Sequence, residues 1–254
     1  MLFILFIILG AIWGSFANVC IYRLPNSMGV VLKSSFCPSC KDNIRWFNNI
    51  PIISFILLQG KCRSCKQAID KQYLIVELIT SLSFVTIYYF FGLTITSLLL
   101  LILFVFFIII FFIDLKHFII PDSLTFPLMI IGFLKSFDPN LNQTIFPNYI
   151  NSLIGGVTGY LAIWSIIYLY KVIRKKEGMG LGDAKLLAAI GFWFGWASLP
   201  FVIFFSSFVA LVVAIPSLLK KTKRMSSEIP FGPYIIIACI FYLFFSSEIK
   251  SVLY

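Results

Sequence analysis

Charge is scarce in this sequence. Only 12% of its 254 residues are Asp, Glu, Lys or Arg, and 60% are hydrophobic. A soluble domain of this size carries roughly 25% charged and 45–50% apolar residues. Half that charge cannot cover a water-facing surface, so an ordinary soluble protein is excluded. Disorder is excluded too, because it requires low hydrophobicity. Acids are the scarcer sign, with 10 Asp and Glu against 20 Lys and Arg. Histidine occurs once, at His117. No basic stripe outside the apolar runs carries interleaved stacking aromatics, which argues against a nucleic-acid partner. No basic segment precedes the first apolar run, which is uncharged to Tyr22. A retained first span is therefore expected, not a secretory signal. No internal repeat or low-complexity tract stands out.

What is present is a set of long apolar runs. Runs of this length span a membrane as helices, not as barrel strands. Residues 1–22 are the first. Residues 78–113 carry no charge. As one helix they would reach roughly 54 Å, against a hydrocarbon core of about 30 Å. Gly92-Leu93-Thr94 divides them into two spans. A short fourth span is expected over 123–134, interrupted by Pro127, and a fifth over 149–170. The uncharged run 186–219 divides at Ala197-Ser198-Leu199-Pro200, and a last span ends near Phe245. The expected fold is an all-α polytopic membrane protein of about eight transmembrane helices. Its expected parts are a first helix (1–22), a cytoplasmic loop domain (23–72) and a membrane domain of about seven helices (73–254).

Eight spans put both termini on one side. Assigning alternate loops gathers eighteen Lys and Arg on the other side and leaves only Lys135 and Lys250 with the termini. Cytoplasmic loops hold the excess of Lys and Arg. The cysteine loop, Asp114, Asp183 and the segment Pro230-Phe231-Gly232-Pro233 are thus expected at the cytoplasmic face.

The 23–72 loop contains Cys37-Pro38-Ser39-Cys40 and, 21 residues on, Cys62-Arg63-Ser64-Cys65. Each CxxC turn aims two sulfurs at one point, and tetrahedral zinc needs two such pairs. The competing reading is two disulfides or redox thiols, which a cytoplasmic loop disfavours. Four thiolates leave no open coordination position, so the expected zinc is structural. Cys20 and Cys239 lie in apolar runs and read as small buried hydrophobes.

Two acids stand at span ends. Asp114 closes an uncharged run, and Asp183 follows Gly180-Leu181-Gly182. Paired carboxylates can hydrolyse a peptide bond. One, ionised, takes a proton from water, and the other, protonated, donates a hydrogen bond to the scissile carbonyl. Asp183 stands near a helix N-terminus, where the dipole favours negative charge, and Asp114 at a helix C-terminus. Asp183 is therefore expected to start as base and Asp114 as acid. The glycines would permit a tight turn and close approach of a substrate strand. The competing reading makes both acids plain interfacial residues or caps. Asp122, after Pro121, reads as a helix N-cap. His117 reads as interfacial, with a proton shuttle as the alternative. Glu77 either marks the membrane boundary or lines a site beside the cysteine loop. Asn18 lies in the first span and needs a polar partner there.

Several motifs together resemble one family. They are Gly14-Ser15-Phe16-Ala17-Asn18-Val19 running on to Tyr22-Arg23-Leu24-Pro25, the paired CxxC motifs, and Asp114 through Ile120-Pro121-Asp122. Gly180-Leu181-Gly182-Asp183-Ala184-Lys185 and Pro230-Phe231-Gly232-Pro233 complete the set. In this order they resemble the type IV prepilin peptidases, membrane aspartic proteases of the GxGD type. The resemblance implies catalytic Asp114 and Asp183, supported by Gly180, Gly182, Pro230 and Gly232. It implies zinc on Cys37, Cys40, Cys62 and Cys65. It implies removal of the basic leader from prepilins and pseudopilins at the cytoplasmic face of a bacterial inner membrane. The intact tetracysteine loop implies methylation of the new N-terminus from S-adenosylmethionine. The donor's pocket is not located by the sequence, and Glu77 is the one candidate. Membrane lipid is the other expected partner. Two rival readings remain. A zinc-bearing membrane adaptor would tolerate loss of both aspartates. A transporter would need acids nearer mid-span and on both sides, which the sequence lacks.

Overall fold

The computed structural model describes residues 1–30, 35–141, 145–175, 180–219 and 229–253. Several cations of the charge count lie outside the described residues: Lys33, Lys176, Lys220, Lys221, Lys223 and Arg224. So do Asn142, Gln143 and the Gly178-Met179 part of the glycine-rich segment. The described residues form ten α-helices, in order α1 (Leu2–Arg23), α2 (Ile53–Leu57), α3 (Gln72–Phe91), α4 (Ile95–His117), α5 (Asp122–Leu134), α6 (Tyr149–Arg174), α7 (Leu181–Phe194), α8 (Leu199–Leu219), α9 (Gly232–Phe244) and α10 (Ser246–Leu253). Among the described residues no strand forms, and β pairing is limited to two isolated bridges.

Every expected apolar segment is a helix. Among the described residues five stretches are long and apolar enough to cross a membrane: α1, α3, α4, α6 and Trp196–Ile215, which holds most of α8. Helices α5, α7 and α9 have 13, 14 and 13 residues. At 1.5 Å per residue each is about 20 Å long, less than a hydrocarbon core of about 30 Å. The glycine split at Gly92 is right: it has φ +62 and caps α3. The later split falls slightly earlier than expected, at Gly195, whose φ of +79 ends α7. Helix α3 begins at Gln72 and not at 78, so Glu77 lies within it.

The chain forms two compact units, Met1–Ile109 and Ile110–Tyr254, and the division falls within α4. In the first unit α1 packs on α3. Gly10 and Gly14 allow this, because a Cβ on either would collide with the α3 backbone at Ser81 or Glu77. Small residues at this spacing are how membrane helices approach closely.

In the second unit α7 is central, and nearly all its side chains are buried. Helices α5 and α6 pack on it. Gly155 of α6 meets Gly191 of α7 with no room for a side chain on either. Hydrogen bonds from neighbouring elements finish α7's C-terminal end. Ser152 Oγ donates to the Phe192 carbonyl at 2.7 Å, and Lys135 Nζ to that of Trp193 at 2.9 Å. Carbonyls at a helix end lack intrahelical donors, so these bonds meet a need α7 cannot meet itself.

Candidate functional site: a carboxylate pair and a four-cysteine cluster

The second unit brings Asp114 and Asp183 together. Asp114 lies near the C-terminal end of α4 and Asp183 in the first turn of α7. Both are buried, at 4% and 9% exposure, and Asp114 acts electrostatically on Asp183. Two carboxylates withdrawn from water and within each other's field ionise together less readily than either alone.

Gly232 completes the arrangement. It is the first residue of α9, and its N–H donates to Asp114 Oδ2 at 2.9 Å. That N–H is one of the four that a helix leaves unbonded at its start. Pro233 follows, in the first turn where proline is tolerated. Asp114 therefore stands at the N-terminus of α9 as well as at the C-terminal end of its own helix. The sequence exposed only the second of these.

The glycines serve close packing. Ile120, in the connector between α4 and α5, lies against two of them. A Cβ on Gly182 would fall 2.9 Å from Ile120 Cβ, and one on Gly232 would fall 3.1 Å from Ile120 Cδ1. One isoleucine thus keeps the starts of α7 and α9 in register with the end of α4. Gly180 has φ −78, open to any residue, and a Cβ there would meet only Gly182 N, at 3.9 Å. The expected tight turn at these glycines is not what the described backbone uses. Pro230 is half-buried just before α9.

The Gly232 contact carries a prediction. A Cβ there would sit 2.7 Å from Asp114 Oδ2, inside van der Waals contact. Gly232→Ala should displace that carboxylate by about 1 Å. A misplacement of that size costs about 10²-fold in rate. Steady-state kinetics on the purified variant should show the loss in kcat with KM little changed. Unchanged kcat would mean that the Gly232 bond does not position Asp114.

One neighbouring residue differs from expectation. Asp122 is not the N-cap of α5: Pro121 holds that position without a side-chain cap, and Asp122 is the first helical residue. Its carboxylate pairs with Lys185 Nζ at 2.6 Å, joining the starts of α5 and α7. The pair is partly exposed, so its worth is under about 1 kcal/mol. Sequence reasoning missed it because the partners are 63 residues apart. His117 is the exposed last residue of α4.

The first unit holds the cysteines. Each CxxC forms a closed knuckle. Cys37 N–H donates to the Asp42 carbonyl and Lys41 N–H to that of Cys37, both at 2.9 Å. Cys62 N–H donates to Gln67 O at 2.8 Å and Lys66 N–H to Cys62 O at 3.0 Å. Lys41 and Lys66 both take positive φ, at +63 and +60. Antiparallel bridges Phe36–Asn43 and Lys61–Ala68 bracket the two turns. The repeated geometry brings all four Sγ atoms within 4.8 Å of one another, and none is in a disulfide. Cys37 and Cys65 Sγ are 3.9 Å apart. Zinc–sulfur bonds of about 2.3 Å set tetrahedral S–S edges near about 3.8 Å.

The thiols also compete for ionisation. Burial pushes Cys37 up, but Cys40 and Ser39 backbone donors and neighbouring thiols outweigh it and lower it to about 7. Cys40 has a backbone donor at Asp42, yet burial and the three other thiols push it up to about 12. A dication at their centre favours all four thiolates together. The cluster could hold a metal ion.

Glu77 of α3 is buried at 7% exposure. Its Oε2 accepts from Ile52 N–H at 2.7 Å, and the Ser15 hydroxyl lies on the same carboxylate. Asn18 finds the polar partner its place in α1 requires, since its Nδ2 donates to the Tyr73 carbonyl at 2.9 Å.

A helical membrane protein with a buried pair of carboxylates at helix ends has the makings of a membrane aspartic peptidase. The model for the type IV leader peptidase family matches residues 101–215, and that for the bacterial peptidase A24 N-terminal domain matches residues 8–91. The chain belongs to the type IV leader peptidase family. It is similar to the prepilin leader peptidase/N-methyltransferase of Pseudomonas aeruginosa, at 36% identity over 255 residues, 91% of this chain and 86% of that protein. The protein of the same description from Stutzerimonas stutzeri is 37% identical over 256 residues, with the same coverage. That of Dichelobacter nodosus is 34% identical over 252 residues, 89% of this chain and 85% of that one. No solved structure matches the chain.

Proposed function

We propose that this protein cleaves the leader from type IV prepilins and pseudopilins and then methylates the amino group it exposes. The observation that carries the peptidase reading is the buried pair Asp114–Asp183, fixed by Gly232 N–H and Ile120. Family membership favours an enzyme over a docking adaptor.

In this mechanism one carboxylate of the pair starts ionised and takes a proton from a water molecule. The water oxygen attacks the scissile carbonyl. The other carboxyl starts protonated and donates a hydrogen bond to that carbonyl as it becomes an oxyanion. Gly232 N–H holds Asp114 through Oδ2, which accepts in either protonation state. The leaving amine then recovers the proton, and the pair returns to its shared-proton state.

Position suits the substrate. A prepilin has a basic leader followed by an apolar helix, so its scissile bond lies at the cytoplasmic boundary of the inner membrane. The excess of Lys and Arg in alternate loops supports a cytoplasmic position for both aspartates, with both termini on the far side. The two knuckles of the 23–72 loop hold zinc through Cys37, Cys40, Cys62 and Cys65. S-adenosylmethionine supplies an electrophilic methyl group.

The test is direct. Purified protein is incubated with a full-length prepilin and S-adenosylmethionine, and the product is weighed by mass spectrometry. The expected product has lost its leader and gained one methyl on the new N-terminal nitrogen. Intact prepilin after incubation with active-pair protein would sink the reading.

A further inference from the structure

The first unit contains a cavity of about 610 Å³, lined only by residues between Ser15 and Glu77. That volume lies within the roughly 300–1,000 Å³ of small-molecule sites. Its wall includes Cys37 and Cys62, so it adjoins the four-cysteine cluster. No part of the peptidase chemistry above uses it.

Its lining carries both signs of charge. The buried part of the wall holds Asn18, at 3% exposure, and Glu77, at 7%, together with Arg23, whose guanidinium donates to the Gly29 and Val30 carbonyls. Tyr73 contributes to the same wall. The exposed lining holds Arg45 and Arg63 and, with them, Asp42 and Asp70. The Asn18 amide has one bond met and one unmet. The Tyr73 carbonyl can only accept, so the amide nitrogen must face it, and Oδ1 is left buried without a partner. A buried acceptor without a donor is rare in a finished structure and calls for a ligand or another explanation. A carboxylate and a bare carbonyl oxygen form an environment for positive charge. Cations at the rim form one for a carboxylate.

We infer that this cavity is the pocket of the sulfonium methyl donor, with Glu77 and Asn18 facing its cationic sulfur end and Arg45 and Arg63 its carboxylate. The inference rests on the methyl-transfer reading above. S-adenosylmethionine carries a sulfonium, a carboxylate and an ammonium on one flexible chain, and the exposed Asp42 and Asp70 suit the ammonium. In the transfer, the lone pair of a neutral amine forms the new N–C bond. The S–C bond breaks, and its electron pair stays on sulfur, leaving a neutral thioether and a methylammonium. The proton shed earlier by the ammonium goes to water. Glu77 and Asn18 hold the donor's charge before transfer and lose that attraction after it. The same arrangement favours release of the thioether product.

That difference provides the test. Binding of S-adenosylmethionine and of S-adenosylhomocysteine, the neutral thioether, is measured by calorimetry on the zinc-loaded full chain in detergent. Glu77→Gln keeps the shape and an acceptor for Ile52 N–H but removes the charge. It should weaken S-adenosylmethionine at least about tenfold, the scale of a lost charged contact, and S-adenosylhomocysteine by less than about threefold. Arg45→Gln with Arg63→Gln alters only exposed side chains and should weaken both ligands alike. Zinc content and melting profile report whether each variant folds. Equal effects of Glu77→Gln on the two ligands, or none on either, overturn the assignment. So does full-strength binding to the double arginine variant, which decides the matter if Glu77→Gln does not fold. A wild-type chain that methylates but keeps its donor affinity in every variant refutes the pocket alone. A wild-type chain that neither methylates nor binds the donor refutes the methyl-transfer reading itself.

Discussion

Replacing either carboxylate with its amide will stop leader cleavage. Asp114→Asn and Asp183→Asn should each lower the initial rate by at least about 10³-fold, the scale of removing one member of an acid–base pair that works as a unit. The double variant should be scarcely slower than either single one, since neither residue can complete the proton cycle alone. The substitutions are nearly isosteric. The amide of the Asp114→Asn variant would still offer Gly232 N–H an oxygen at the place of Oδ2. Burying an amide costs less than burying a group that can carry charge, so the melting temperature should hold or rise. That separates lost chemistry from lost folding. Rates are measured on purified variants with a prepilin substrate, and melting is followed on the same samples. Either single variant cleaving at a tenth of the wild-type rate or better would remove its residue from the mechanism.

How much of this was legible in the sequence depended on the range of the interaction. Helix existence is local and was plain: uncharged runs gave α1, α3, α4, α6 and α8, and Gly92 divided α3 from α4. The knuckles were plain too, because each CxxC closes within six residues and needs only backbone partners nearby. The glycine and aspartate motifs named the right residues for the carboxylate pair, but not their physical reasons. Gly182 is small because Ile120 lies against it, and Gly232 because Asp114 does. The Gly232–Asp114 bond joins residues 118 apart, and no spacing rule reaches that far. Asp122 was misread for the same reason: its local pattern suggested a cap, and distant Lys185 took the carboxylate. Helix α10 went unforeseen because its eight residues are mostly polar and follow α9 after a single residue. The start of α3 was placed late because charge alone was used to mark it. Glu77 is buried inside that helix, where a solvated boundary residue was one of two expectations.

Removing the metal will abolish methyl transfer by unfolding the segment that carries the cysteines. The reason is the near absence of a core there. This loop fully buries none of its described large apolar side chains, and it points several outward: Trp46 is 80% exposed, Leu57 76% and Ile56 64%. Its described helices are short: α2 has five residues and a 3-10 turn at Trp46–Asn48 has three. The knuckle hydrogen bonds are few and next to water, so each contributes about 1 kcal/mol or less. Segments of this size without a core depend on a staple. A structural zinc contributes apparent binding energies of about 10–16 kcal/mol in small metal-folded units, and that energy is folding energy. The purified chain should carry one zinc. Cys37→Ser with Cys62→Ser takes one ligand from each knuckle and should leave no bound metal, as should prolonged chelation. Both residues also line the 610 Å³ cavity, so the donor's wall goes with the cluster. Methyl transfer should fall below detection. Leader cleavage should be kept in larger part, because Asp114, Ile120, Gly182, Asp183 and Gly232 all belong to the second unit. Metal content, cleavage and methylation are measured on one preparation before and after chelation, then after zinc is restored. Restored zinc should restore methylation in the wild type and not in the double variant. A metal-free chain that still methylates would show that the loop holds its shape without the ion, and that the cysteines owe their spacing to something else.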